Sequence, residues 1–174
     1  MPNAGKPKLP KMRVMAVVAL ASTASTLVSN LMGQGEPQSV RPMLRRTIIM
    51  AYGILTPILL LIAIFPTEVM RIFTTDAPLM EAARVALYVQ LCSYFFTIPA
   101  QILFHAVSGT GNTRIAFAIE VGTLIVYTCY VAIAIFHLRL SLPWCWASEI
   151  VYSSIILVLC YLYMRSGKWQ SKQI

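Results

Sequence analysis

Five long apolar runs divide this sequence, at residues 14–33, 48–65, 85–107, 115–136 and 142–164, and none of them contains a Lys or Arg. That pattern leaves few folds open. A helix that crosses hydrocarbon needs about 20 mostly apolar residues, and the last three runs meet that length comfortably. The second run is short but workable. The first is the weakest, because its stripe of Ser22, Thr23, Ser25, Thr26 and Ser29 suits contact with another helix better than contact with lipid. Backbone polar groups in a bilayer must be satisfied within a segment or within a closed barrel. The runs are too continuous for the in/out alternation of barrel strands. The expectation is an all-α integral membrane protein, a bundle of about five transmembrane helices.

Composition supports this. The 174 residues are 58% hydrophobic and 11% charged, with mean hydropathy +0.72, whereas soluble domains carry about 25% charged residues. A soluble fold of this length has too much exterior to hide so much apolar surface. The net charge of +8 would suggest nucleic acid in a soluble chain. Here the basic residues flank apolar runs, which points to the lipid bilayer as partner and excludes nucleic acid. Cys92, Cys129, Cys145 and Cys160 have no C-x-x-C spacing, and His105 and His137 lie far apart. The cysteines read as small packing residues rather than metal ligands or disulfides. With no metal cluster and no nucleophile–base constellation, an enzyme is disfavoured.

Three regions follow: a basic flexible arm over 1–13, a helical bundle over 14–165 and a basic tail over 166–174. In the connections, Thr75 or Asp76 is a plausible N-cap with Pro78 in the first turn of a helix that begins before its apolar part. Pro57 and Pro99 fall inside runs and free the carbonyls of Gly53 and Phe95. In "SGTGNTR" (108–114), Gly109 and Gly111 permit φ > 0, and Asn112 or Thr113 can cap the next helix. A phosphate loop would need a preceding strand and a Lys-Ser/Thr ending. Five spans put Arg41, Arg45, Arg46, Arg114, Arg165, Lys168 and Lys172 on one face, which the positive-inside rule makes cytoplasmic. The basic arm, with Lys6, Lys8, Lys11 and Arg13, then falls outside, in conflict with the same rule.

Four motifs carry a family resemblance. "ASTASTLVSNLMGQGEP" (21–37), "PTEVMRIFTTDAPLMEAA" (66–83), "AVSGTGNTRIAF" (106–117) and "YLYMRSGKWQ" (161–170) resemble, in order and spacing, segments of multidrug and toxic compound extrusion (MATE) transporters. The resemblance covers about residues 14–170. It implies the incomplete second lobe of a twelve-helix fold, helices eight to twelve, with a missing N-terminal lobe as partner and a truncated or split coding sequence. It also implies a multi-pass protein of the bacterial inner (plasma) membrane with a cytoplasmic C-terminus. The implied function is antiport of small organic, mostly cationic compounds against sodium ions or protons, with no cofactor beyond that coupling ion. A small membrane interaction protein and a related lipid-intermediate flippase are the alternatives.

Glu120 and Glu149 lie inside apolar runs, and intramembrane carboxyls are functional candidates because buried charge is costly. Glu120 sits about two turns from one end of its helix and Glu149 about as far from the opposite end of the last one, so a direct pair is not expected. The competing reading is a carboxyl hydrogen-bonded to Tyr, Ser or Thr in a packed interface. Many MATE transporters carry an acidic residue in the helix matching residues 79–108. This chain has none in the apolar part of it, and Gln90 is the nearest polar substitute. Tyr94, Tyr127 and Tyr130, with Tyr88, Phe95, Phe96 and Tyr152, could stack on flat cations. Trp144, Trp146 and Trp169 flank the last run as interfacial anchors.

Overall fold

The glycines and prolines between the runs set the helix ends. The computed structural model describes residues 9–72, 76–134 and 142–170, without the side chains of 9–18, 20, 79, 82, 142, 143, 145 and 146. Helix α1 spans Leu9–Gly33, so it begins inside the basic arm. It closes where Gly35 takes φ 74° and the Glu36 N–H reaches back to Leu31 O at 2.9 Å, the geometry that satisfies last-turn carbonyls. A short 3-10 turn, Pro37–Ser39, leads into α2, Val40–Ile64. Pro66 opens the six-residue α3, Pro66–Arg71. Helix α4, Ala77–Gly109, starts from an extended Asp76 with Pro78 in its first turn, well ahead of its apolar part. Helices α5, Thr113–Ala132, and α6, Leu142–Ser166, complete the described elements.

Among the described residues, four helices are long and apolar enough to cross a membrane: Pro37–Ile64, Ala83–Gly109, Thr113–Ala132 and Ala147–Ser166. The remaining run forms α1, much of whose side-chain detail lies outside the described residues. The outward faces are apolar. Phe117, Ile64 and Phe95 are each about two-thirds exposed or more (71%, 67% and 67%), as side chains facing lipid would be. Helix α4 is the hub, packed most extensively on α6, then on α1, and touching α2 and α5. Asn112 meets Tyr163 and Thr97 meets Ser153, so α4 and α6 run parallel with α5 antiparallel between them in chain order.

Three expectations are corrected, the first in part. Helix contact by the Ser/Thr stripe of α1 holds for Ser25, half-buried and close against Gly109 of α4, in the seam of α1 with the fully buried Ala21, Ala24 and Val28, while Ser22, Thr23 and Thr26 lie on the exposed side. The hydroxyls of Thr23 and Thr26 bond to Ala19 O and Ser22 O one turn back. Such back-bonding satisfies a hydroxyl without a neighbour. Only Ser29 reaches across, donating to Gly109 O at 3.0 Å. Second, Gly111 alone in its loop has positive φ, 76°. Gly109 is needed for close approach, because a Cβ there would sit 2.5 Å from Ser25 O. Asn112 occupies the N-cap position of α5 without a side-chain capping bond; its amide donates to Tyr163 Oη at 2.8 Å instead. Third, Trp169 is not an interfacial anchor but fully buried in the core. Gly167 turns the chain with φ 70°, and the Trp169 indole donates to Met164 O at 2.9 Å. Trp144 is exposed as an anchor would be, at 57%; the Trp146 side chain lies outside the described residues. Of the cysteines, Cys160 packs in the core, whereas Cys92 and Cys129 are exposed and the Cys145 side chain is outside the described set.

The carbonyl freed by Pro99 has a partner. Tyr52 on α2 donates its hydroxyl to Phe95 O at 2.5 Å, and the two rings lie 5.6 Å apart. Tyr52→Phe leaves that carbonyl unsatisfied beside apolar neighbours and is expected to cost about 1–2 kcal/mol, read as a lower unfolding midpoint in detergent with helicity retained.

Candidate functional site

Polar side chains converge where α4, α5 and α6 meet. On α5, Glu120 is half-buried and accepts the Tyr152 hydroxyl of α6 at 2.7 Å. Tyr127, about two turns further along α5, places its ring edge-on to Tyr152 with centroids 5.8 Å apart. Glu149 lies one turn before Tyr152 on α6 and is likewise half-buried. The bond between Glu120 and Tyr152 thus stands one turn of α6 from the second acid. The antiparallel pairing of α5 and α6 brings this about.

The next residue of α6 turns toward α4. Ser153, almost fully buried, shares a 2.7 Å hydrogen bond with Thr97. Thr97 in turn donates to Ser93 O, and Ser93 donates to Gln90 O. Gln90, Ser93 and Thr97 thus follow one face of α4 at helical spacing. The Gln90 side-chain oxygen is buried and, among the described residues, has no hydrogen-bond partner. An orphaned acceptor of this kind calls for an explanation, such as an unseen ion or water. The polar set stands in otherwise apolar spans with no Lys or Arg, so no cationic side chain within the runs offsets the carboxyls.

Of the candidate residues read from sequence, Glu120, Glu149 and Tyr127 belong to this junction, and Gln90 lies on the α4 face that leads to it. Tyr94 packs against the core cluster. Tyr130 donates to Trp144 O at 3.3 Å and ties the end of α5 to the start of α6, away from Glu120. Sequence reasoning missed Ser93, Thr97 and Ser153 and gave Tyr152 only an aromatic role. The available signal was the polar spacing itself: Gln90, Ser93 and Thr97 on one helix, and Glu149, Tyr152 and Ser153 on another.

Helices that expose apolar faces and gather carboxyl, hydroxyl and amide groups inside define a multi-pass membrane protein. Comparison with known proteins gives the family. The MatE family profile matches residues 11–135, and the chain belongs to that family of transporters. It is similar to the probable multidrug resistance protein NorM of Thermotoga maritima, with 27% identity over 154 residues, covering 86% of this chain and 32% of the relative. The chain thus spans about a third of that relative's length. No solved structure matches it.

Proposed function

We propose that this chain forms part of a multidrug efflux antiporter that expels small organic, mostly cationic compounds in exchange for sodium ions or protons, with Glu120 as the exchanging carboxyl. Family membership and the multidrug resistance named for the relative support the transport class. One observation carries the site. Glu120 sits within an apolar span, held by the neutral hydroxyl of Tyr152 rather than by an Arg or Lys. A carboxylate in low dielectric without a fixed counter-charge is costly, and exchange with a mobile cation relieves that cost. Tyr152 orients the carboxyl, Tyr127 packs against Tyr152, and Glu149 lies one turn from Tyr152 on α6. The unpartnered Gln90 oxygen stands about two turns along α4 from Thr97. Alternating access requires facing halves that rock about a central site, so these helices by themselves do not transport. In this reading the basic helix ends and the C-terminus face the cytoplasm of a bacterial cell.

Dye efflux from proteoliposomes, with sodium and proton gradients imposed separately, tests this. In a transporter of the relative's full length that carries this segment, Glu120→Gln is expected to cut ion-driven efflux at least about tenfold, equivalent to ~1.4 kcal/mol, with substrate binding retained. Tyr152→Phe should lower the rate less and shift its dependence on ion concentration. Unchanged coupling in E120Q, or efflux by the 174-residue chain alone, would refute the proposal.

A further inference from the structure

A second feature lies away from the polar junction, at the basic end of the bundle. Between the first turns of α2 and the last turns of α6 runs an open groove of about 860 Å³. Arg41, Arg45 and Arg165 stand at its mouth. Its floor is Leu44, Leu103 and Met164, all nearly buried. Ile48, Ile49 and Tyr161 form the walls. A neighbouring groove of about 530 Å³ shares Arg41, Arg45 and Ile49 and adds Arg46.

The groove is ordered along its length. Its cationic groups belong to helix ends, with Leu44 and Met164 beside them, while Ile48, Ile49, Leu103 and Tyr161 lie about one to two turns further into the spans. Among the described residues, the ion pair between Arg71 and Glu68 is at α3, and no carboxylate pairs with Arg45, Arg46 or Arg165. Arg41 is committed to the fold: it donates to Met164 O at 3.0 Å and Arg165 O at 3.2 Å, capping α6. That capping holds one edge of the groove in place and leaves Arg45 and Arg165 to face it. A ligand that complements this surface has an anionic head at the arginines and hydrocarbon beyond it. Basic pockets between transmembrane helices bind lipid phosphates on this principle, and Arg suits phosphate through its planar set of donors.

We infer that this groove is a site for one anionic glycerophospholipid, its phosphate held by Arg45 and Arg165 and an acyl chain lying against Ile48, Ile49 and Leu103. The site is separate from the Glu120 junction, and its test does not depend on transport.

The experiment is lipid binding to the whole chain in detergent, followed by native mass spectrometry and by the thermal midpoint, titrating phosphatidylglycerol, phosphatidylcholine and inorganic phosphate separately. Phosphatidylglycerol is expected to be retained about tenfold more tightly than phosphatidylcholine, to raise the midpoint, and to resist competition by millimolar phosphate. In R45Q/R165Q that preference should disappear, while Arg114→Gln, a basic residue elsewhere on the same end, should keep it. Equal retention of the two lipids by the unmodified chain would overturn the inference whatever the variants do. So would displacement by phosphate alone, which marks a free-anion site, or an undiminished preference in R45Q/R165Q.

Discussion

Trp169→Ala is expected to destabilise the bundle by about 3–5 kcal/mol. The residue sits near the end of the chain, where substitutions are ordinarily tolerated, yet it is the largest fully buried side chain described. It joins a core cluster that also contains Met32, Val40, Leu44, Ile156 and Met164. Its indole N–H satisfies the Met164 carbonyl, one of the groups that the last turn of α6 leaves unpaired. Alanine removes both the ring and the donor. Trp169→Phe keeps most of the ring, loses the donor and should cost only about 1 kcal/mol, because Arg41 still reaches Met164 O. Thermal unfolding in detergent, followed by circular dichroism, separates these cases. A fall of around 10 °C for alanine and a small one for phenylalanine is the expected result. Equal midpoints for all three proteins would mean that the tail does not pack as described.

Gly109→Leu should have a comparable effect by a different route. The backbone of α1 passes so close to Gly109 that a Cβ would stand 2.5 Å from Ser25 O and 3.1 Å from Val28 Cβ. The nearest obstacle is backbone, which cannot rotate away. Even alanine forces the helices apart, at about 1–3 kcal/mol for overpacking. Leucine should separate α1 from α4 altogether, exposing Ala21, Ala24 and Val28 and breaking the bond from Ser29 to Gly109 O. Hydrogen exchange along α1 should then accelerate while the amides of α4 and α6 stay protected. Accelerated exchange spread evenly over all the helices would contradict a local hinge-like loss of α1.

The helices were legible in the sequence because a backbone in hydrocarbon must satisfy itself locally. A run of apolar residues therefore specifies its own helix, and the early start of α4 followed from Asp76 and Pro78. Partners across space were less legible. That Pro99 frees Phe95 O follows from covalent geometry, but that Tyr52 fills the vacancy depends on how α2 lies against α4. Thr23 and Thr26 of α1 misled because a hydroxyl one turn from a carbonyl bonds to its own helix as readily as to a neighbour. Trp169 misled because aromatic residues at a span end usually mark the interface; the positive φ of Gly167 folds this one inward. Glu120 was legible as a carboxyl within an apolar run. Its bond to Tyr152 required the α5–α6 pairing.

The central claim is that Glu120 exchanges a cation at the junction of α4, α5 and α6. Infrared difference spectroscopy of the chain in lipid, between sodium-loaded and sodium-free states and across pH, tests it most directly. A carboxyl band that responds to ion state and vanishes in E120Q, with Glu149→Gln leaving it in place, is the expected result. A carboxyl signal that ignores both ions, or one that persists unchanged in E120Q, would contradict it.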